Sequence, residues 1–343
     1  MLKRSIFPPR ATIPVGPRTA VASVAASLFL LVTGCSSDSG DTGGEAAPAV
    51  EGSFPAKVTT KFGDITVEKQ PKRVVALGWG DAETALALGV QPVGASDWLG
   101  FGGDGVGPWA KGKYDKSPKK IGTLEPEYER IAALQPDLIL DTKASGDQKR
   151  YDTLSKIAPT VGVPKGGDQY LTDWQKQTEM VADALGLHDK GQTLIADTKA
   201  KFASTVKAHP EFKDKTVTSG SLSGEGFNAY VQGSGRVDFL ERLGFKNNPW
   251  VEKQGGNGFF ISVARENVNK LDADLLIMEP IGSSADDIKN DALYKQVPAV
   301  KAGHDVVFGL KSASANAYAT DSILSVNYTL DKVIPEFAAA LKK

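Results

Sequence analysis

The sequence is poor in the side chains that usually hold metals or cross-link chains. Its 343 residues include one cysteine, Cys35, and three histidines. A single cysteine excludes an internal disulfide framework. The histidines are scattered at predicted turns and helix ends, so they do not form a transition-metal site: His188, His209 and His304. We therefore expect no bound metal and no cofactor.

The sequence also lacks an apolar run long enough to cross a bilayer. The apolar stretch from Thr19 to Val32 has about fourteen residues, whereas a membrane span needs about twenty. A basic segment precedes this stretch, and the sequence LVTGC follows it and ends at Cys35. This order is typical of an export signal followed by its cleavage site.

The LVTGC sequence resembles the bacterial lipobox, in which small residues precede a cysteine that receives a diacylglycerol. The resemblance implies a signal peptide at residues 1–34 and lipidation of Cys35. A transmembrane anchor or a plain secretory peptide is the alternative. Each buried methylene of an acyl chain contributes about 0.8 kcal/mol, so several chains would tether the protein to the outer face of the cytoplasmic membrane. Residues 35–56 then form a flexible linker, because Ser36 to Glu51 has little to bury.

Positive charge is not in excess. The net charge is −1, and residues 1–34 carry four positive and no negative charges, so the mature chain has a net charge of −5. We therefore expect no nucleic-acid partner. The hydrophobic fraction of 41% and the charged fraction of 24% are ordinary for a soluble chain, and the length allows two domains.

Short β-branched runs alternate with helical patterns along the mature chain. This alternation predicts parallel strands joined by crossover helices. A polar helical tract from about Asp189 to Ala208 ends before Pro210, because proline disfavours helix in the residue before it. We predict an α/β fold of two Rossmann-like lobes joined by one long helix, with a ligand cleft between the lobes. The predicted ranges are lobe 57–188, interdomain helix 189–208 and lobe 209–343, which ends in a helix from about Asp321 to Leu341.

One segment occurs twice. The sequence ERIAALQPDLIL (Glu129–Leu140) and the sequence ENVNKLDADLLI (Glu266–Ile277) share their acidic and aliphatic positions without a gap. Each predicts a helix followed by a strand, once in each lobe. The unbroken aliphatic run at its end is typical of a strand buried on both faces. Folding explains the aliphatic positions but leaves the two glutamates unexplained.

The predicted loops that leave the strands are rich in aromatic residues and glycine. In open α/β sheets the ligand crevice lies beyond the carboxyl ends of the strands. Large aromatic surfaces with few charges suit a bulky, partly apolar organic ligand. Packing within a lobe is the alternative for any single one of these side chains. The predicted ligand contacts are Trp79, Trp98, Phe101, Tyr114, Phe227, Tyr230, Arg236, Trp250 and Phe260.

Among these residues, Arg236 is the predicted polar anchor, because a guanidinium can address several oxygens of an iron complex. Weaker candidates for this role are Lys143, Arg150 and Lys311. Asp81, which follows Trp79, is a plausible helix cap.

Enzyme motifs fail on their context. GFGGDG (Gly100–Gly105) matches a dinucleotide-binding pattern, but no helix opens directly after it. GWGDAE has the right context but places Glu83 where a glycine belongs, and an acid would repel pyrophosphate. GSLSGEG has Leu222 at the position of a nucleophilic serine. We therefore predict a binding protein, not an enzyme.

The order of these features resembles that of the periplasmic-binding proteins of the siderophore and cobalamin uptake family. The resemblance rests on the lipobox, PKRVVAL, ERIAALQPDLIL, LSKIAPTV, the long helix, VDFLERLGF and the second copy, and it covers nearly all of Pro71 to Lys343. It implies the substrate-binding subunit of an ABC importer, with ligand between two lobes that a rigid helix joins. It also implies that Glu129 and Glu266, one on each lobe, meet arginines of the permease. A favourable charge at the start of a helix is the alternative role.

The resemblance implies an Fe(III)-siderophore as ligand. Aromatic loops with few basic residues favour a neutral or weakly charged hydroxamate complex over a trianionic catecholate, which would need clustered cations. A haem or cobalamin receptor is an alternative, and haem would require an axial ligand such as Tyr114, Tyr230 or Tyr318. A surface scaffold lipoprotein without a small ligand is a third possibility. We expect a monomer.

Overall fold

The computed structural model describes residues 52–122, 124–255 and 258–343. The predicted signal peptide and Cys35 lie outside the described residues. The end of the predicted linker belongs to the folded part, because Ser53 N donates to Gly186 O (2.8 Å) and Phe54 packs on a first core, which includes Val58, Leu138 and Val181. The linker boundary predicted at residue 56 is therefore too late. Among the described helices, none has the length and apolarity that a bilayer crossing requires.

A hairpin and a parallel sheet make up the first half of the fold. The hairpin pairs β1 (Ala56–Thr60) with β2 (Gly63–Val67). The sheet strands are β3 (Val74–Ala76), β4 (Gly94–Ser96), β5 (Lys119–Ile121), β6 (Leu138–Leu140) and β7 (Thr160–Val161), in the order β5-β4-β3-β6-β7. The accompanying helices are α1 (Asp81–Ala87), α2 (Tyr128–Ala133), α3 (Gln148–Ser155) and α4 (Trp174–Ala184), with a 3-10 turn at Pro108–Ala110. The predicted alternation of strand and helix is confirmed here.

A 21-residue helix, α5 (His188–Ala208), follows α4. Leu187, directly before the helix, belongs to the first core, whereas Phe202 near the end of the helix belongs to a second core, which includes Val217 and Phe239. Leu194 packs against both cores. The helix ends where the sequence predicts, because the residue after Ala208 precedes Pro210.

The second sheet is mixed, not purely parallel. Its strands are β8 (Thr216–Ser223), β9 (Gly226–Tyr230), β10 (Lys246–Asn247), β11 (Phe260–Val263), β12 (Leu275–Pro280) and β13 (Asp305–Val307), in the order β11-β9-β8-β12-β13, with β10 beside β8. β9 runs antiparallel to both β8 and β11. Only two residues separate β8 from β9, and such a short connection can form a hairpin but not a parallel crossover.

The helices of the second half surround this sheet. They are α6 (Gly235–Arg242), α7 (Pro249–Gln254), α8 (Ala285–Asn290), α9 (Pro298–Ala302), α10 (Ala313–Thr320), α11 (Ile323–Lys332) and α12 (Ile334–Ala340), with 3-10 turns at Pro210–Phe212, Arg265–Leu271 and Tyr294–Gln296. The single predicted last helix is wrong. Pro335 starts a new helix instead, because its ring cannot occupy a helix interior. The α11 helix packs not only on α10 and α12 but also on α1, α4 and α5.

The repeated segment forms similar units in both halves. Ile131 and its counterpart Val268 are both fully buried, and so is the strand that follows each. The first copy contains an α-helix, whereas the second forms the 3-10 turn Arg265–Leu271. The shared aspartates also play the same part. Asp137 accepts from the backbone N–H groups of Lys72 and Arg73 (both 2.8 Å), and Asp274 accepts from Thr216 N (2.8 Å), so each aspartate holds the entry of its lobe's central strand.

Candidate functional site: an aromatic and basic cleft at the strand ends

Three aromatic rings form a stack at the carboxyl edge of the first sheet. Trp79 follows β3 and Trp98 follows β4, so neighbouring strands deliver both indoles to one place. Their ring centroids are 4.1 Å apart and their planes differ by 9°. Tyr170 stacks on Trp79 at 4.0 Å and 19°. Trp79 is therefore the middle ring, and Trp98 and Tyr170 present the outer faces.

Tyr170 was not among the predicted contacts, and its backbone is unusual. Gln169 and Tyr170 both lie in the left-handed region, with φ of 54° and 65°. Their N–H groups donate to Ser145 O (3.0 Å) and Ala144 O (2.9 Å), which follow β6. Such conformations persist only where the surroundings enforce them, and they are frequent at ligand sites.

The hairpin holds the loop that carries Tyr170. Lys61 Nζ, at the tip between β1 and β2, lies 2.5 Å from Asp168 Oδ1 and donates to Gly146 O at 2.9 Å. Tyr170 lies nine residues after β7, so it is not in a loop that leaves a strand directly. Its only sequence signal is the neighbouring Gly166-Gly167 turn.

A buried polar cluster lies on one face of the second sheet. Arg236 Nε is 2.6 Å from Glu279 Oε1, and its guanidinium lies 4.3 Å from the centroid of the Tyr230 ring. The Tyr230 hydroxyl donates to Glu279. Burial disfavours the charged guanidinium, but Glu279 and Tyr230 more than offset this effect, so the pKa of Arg236 is raised. Burial also raises the pKa of Tyr230.

This cluster changes the role expected of Arg236. The side chain is largely buried and already bound to a carboxylate, so it is not a free anchor for ligand oxygens. Glu279 is the penultimate residue of β12, and the other residues of this strand are buried and apolar. Glu279 cannot be recognised from the sequence, because its partner Arg236 lies far away along the chain.

Two predicted contacts are wrong because they lie on the opposite face of this sheet. Side chains alternate between the faces of a strand, so the neighbours of Tyr230 on β9 point away from the Arg236 cluster. Phe227 is 2% exposed and stacks on Tyr294 within the core of that opposite face. Trp250, at the start of α7, packs against the same core.

Three predicted aromatic contacts remain, Phe260, Phe101 and Tyr114. Phe260 is 41% exposed at the start of β11, next to Phe259, which stacks with Tyr230. Phe101 contacts Trp109 edge-on at 5.8 Å. The Tyr114 hydroxyl is buried, and burial raises its pKa.

Glu83 joins the two halves of the chain. Trp109 Nε1 donates to Glu83 Oε2 at 2.6 Å, and the Ser322 hydroxyl at the start of α11 donates to the same carboxylate. Burial raises the pKa of Glu83, and these donors partly oppose that shift. Trp109 also meets Tyr328 of α11 at 5.5 Å. The acidic side chain that disqualified the GWGDAE motif therefore has a structural role.

The weaker basic candidates divide into bound and unbound groups. Lys143 Nζ lies 2.8 Å from Asp321 Oδ2, and both side chains are 6% exposed. Arg150 forms a two-pronged contact with Asp141 at 2.6 and 2.8 Å. Lys311, by contrast, is exposed beside a cavity.

Asp81 is not a helix cap but a buried acceptor for Thr142 N and Gln177 Nε2, with a pKa that burial raises to about 6.

The two glutamates of the repeat are exposed and equivalently placed. Glu129 is the second residue of α2, and Glu266 is the second residue of Arg265–Leu271. Each element leads from the carboxyl edge of its sheet towards the amino end of the next strand. Both carboxylates therefore lie near the carboxyl edges of their sheets.

Among residues 52–122, 124–255 and 258–343, no group of three or more His, Cys, Asp or Glu side chains could hold a metal ion. The hydroxyls of Tyr230 and Tyr318 are engaged by Glu279 and Ser219.

The architecture is that of a two-lobed binding protein, and the comparisons agree. Residues 74–313 match the periplasmic binding protein family model, and the chain belongs to this family. It is 32% identical over 276 residues to a probable siderophore-binding lipoprotein, YfiY, of Bacillus subtilis (72% of this chain, 81% of the relative). It is 28% identical over 251 residues to the iron(3+)-hydroxamate-binding protein FhuD of the same organism (71% and 75%). The crystal structure of PiaA from Streptococcus pneumoniae in complex with ferrichrome has a TM-score of 0.71 at 29% identity (84% and 99%).

Proposed function

We propose that this chain is an extracytoplasmic lipoprotein that captures an Fe(III)-siderophore of the hydroxamate type and delivers it to an ABC importer. The observation that carries the proposal is the Trp98–Trp79–Tyr170 stack at the carboxyl edge of the first sheet. It provides a rigid apolar surface at the place where open α/β folds bind ligands. Relatives named for siderophores and hydroxamates support this ligand class.

The site favours a siderophore over haem. A haem receptor needs an axial ligand. One candidate, Tyr114, has a buried hydroxyl whose pKa is raised by burial. The hydroxyls of the other two, Tyr230 and Tyr318, are already hydrogen-bonded in buried surroundings. Deprotonation of either tyrosine would be opposed by its raised pKa. Cobalamin is the other alternative ligand, and the binding experiment below tests it.

Lipidation of Cys35 and docking of Glu129 and Glu266 to a permease are further parts of the proposal. Two exposed carboxylates at matching positions of the two repeats suit a permease built from two like halves, and arginines there would be attracted by both. The protein would act as a monomer tethered to the outer face of the cytoplasmic membrane.

The direct test is a binding panel with the mature full-length chain. Native mass spectrometry and tryptophan fluorescence would be recorded with ferrichrome, a ferric tris-catecholate, haem and cobalamin. We expect saturable one-to-one binding of the ferric hydroxamate, with quenching because the ligand contacts the tryptophan stack. Tight binding of haem or cobalamin alone would replace the proposed ligand, and absence of any saturable binding would favour a scaffold protein.

A further inference from the structure

A cavity of about 580 Å³ lies between a loop of the first sheet and a loop of the second. One wall is the segment after β4, which includes Phe101 and Lys111. The other wall is the segment after β13, where Lys311, Ala313 and Asn316 begin α10. Both loops leave the carboxyl ends of parallel strands, so the cavity belongs to the crevice between the lobes.

Lys311 is held in an uncommon conformation at this cavity. Its φ of 55° lies in the left-handed region, which residues other than glycine seldom adopt. Its Nζ is 4.0 Å from the position that a Cβ on Gly100 would take, so the ammonium reaches across to the other wall. Among the described residues, the ion pairs include neither Lys311 nor Lys111. The two ammonium groups are therefore available to a ligand.

The wall of the cavity opposite Lys311 is rich in glycine. Gly100, Gly102, Gly103 and Gly105 all have left-handed φ values between 47° and 74°. A Cβ at Gly102 or Gly103 would meet nothing within 4 Å. The loop is nevertheless fixed, because Asp97 accepts from the N–H groups of Phe101 (2.7 Å) and Gly102 (3.0 Å). A fixed wall with free space in front of it can receive part of a ligand.

The charges around the cavity favour an anion. Its lining contains two lysines and one carboxylate, Asp104, which also accepts from Ser117 Oγ at 2.5 Å. Lys119 and Lys120 lie on β5, an edge strand, where lysine prevents pairing with other chains. That explanation does not apply to Lys111 and Lys311, which lie outside the strands.

We propose that Lys311 and Lys111 form a subsite for a carboxylate or another anionic group on the periphery of the ferric ligand. The proposal rests on the function inferred above and adds a charge preference to it. The protein would select a hydroxamate complex with a pendant carboxylate over one with a pendant amine. The attraction operates at a partly exposed site, so it tunes selectivity more than it sets total affinity.

The test uses three ferric ligands with one scaffold: ferrioxamine B with its free amine, its N-acetyl derivative and its N-succinyl derivative. In the wild-type chain we expect the succinyl form to bind more tightly than the amine form. The preference is the Kd of the amine form divided by the Kd of the succinyl form. Lys311→Gln should reduce this ratio by about threefold or more, and Lys311→Glu should bring it below one, so that the amine form binds more tightly. Lys301→Gln makes the same charge change at an exposed position on α9 and should leave the ratio unchanged. An equal ratio in wild type and Lys311→Gln would overturn the subsite.

A second measurement separates failure of the subsite from failure of the proposed function. Metal-free citrate would be titrated into wild type and Lys311→Gln and followed by NMR. If no ferric ligand binds but citrate perturbs wild type and not the variant, the siderophore function fails while the anion subsite stands. If citrate and all three ferric ligands leave wild type unchanged, both ideas are wrong.

Discussion

Trp79 and Trp250 belong to the same sequence prediction but have different surroundings. Trp79 lies between two aromatic rings at the cleft, whereas Trp250 packs on a core cluster behind the second sheet. Substitution at these two positions therefore separates binding from stability.

Trp79→Ala should weaken binding of ferrichrome with little change in melting temperature. The outer rings lose the middle member of the stack, and loss of an aromatic hot spot costs about 1 to 3 kcal/mol, or roughly a 5- to 150-fold rise in Kd. Trp250→Ala is the matched control and should leave Kd unchanged while it lowers stability by about 2 kcal/mol. Calorimetric titration and thermal unfolding would measure both quantities. Unchanged affinity in a folded Trp79→Ala protein would remove the stack from the site.

Asp238 should give stability a measurable pH dependence. Burial, with Asp321 and Glu241 nearby, raises its pKa from 3.8 to about 6. Between these values the folded state keeps a proton that the unfolded state has lost, so this group's contribution to stability falls as pH rises from about 4 to about 6. Asp238→Asn cannot ionise, so its melting temperature relative to wild type should increase across that window.

The control for this prediction is Asp286→Asn, which removes the same charge at an exposed position. Melting temperatures would be recorded at pH 4, 5, 6 and 7 for the three proteins. A constant difference between Asp238→Asn and wild type at every pH would contradict the raised pKa.

Residue-level predictability depends on whether a partner is close in sequence. Trp79 and Trp98 were identifiable because each follows a strand that the sequence shows clearly. Arg236 was predicted as an anchor for ligand oxygens, and its ion pair with Glu279 was not foreseen, because nothing near Arg236 in the sequence indicates Glu279. Phe227 misled because alternation along β9 directs it away from the cleft, and the register of a short hairpin strand is difficult to infer.

At the scale of elements, the buried pair between Lys143 and Asp321 connects the exit of β6 with the start of α11. Lys143→Met should lower the free energy of unfolding by about 3 to 5 kcal/mol, because it leaves a buried carboxylate without its partner. Adding Asp321→Asn should recover much of this loss, and asparagine tolerates the left-handed conformation that Asp321 adopts (φ 48°). Urea unfolding of the single and double variants would measure it. Equal losses in the two variants would show that the charge of Asp321 is not the cause.

Most elements were predictable, and their boundaries failed at prolines and tight turns. The helix at His188–Ala208 and the buried strand Leu138–Leu140 follow directly from their patterns. The last helix was predicted too long because Pro335 was given too little weight. Antiparallel β9 was not expected, because the predicted pattern has a crossover helix between strands. The two residues between β8 and β9 form a hairpin turn instead.

At the scale of the whole molecule, Glu129 and Glu266 lead to a transport experiment. Glu129→Arg combined with Glu266→Arg should keep ferric siderophore affinity while nearly abolishing iron delivery in cells with no other receptor, because like charges would then face the permease. Glu68→Arg with Glu336→Arg is the control at exposed sites elsewhere. Surface abundance has to be equal in all strains. Normal transport by the first double variant would leave the repeated glutamates with a local role in folding alone.

The contact between Ser322 and Glu83 also has a consequence for the order of assembly. It joins residues 239 positions apart, and α11, near the end of the chain, packs against α1 near its beginning and α4 near its middle. A polypeptide that crosses a membrane amino end first would expose Glu83 and its neighbours long before their partner emerges. Such non-local pairing slows folding. If the chain is exported as proposed, the segment around Glu83 would stay incompletely packed, and accessible to chaperones and proteases, until the last residues had crossed.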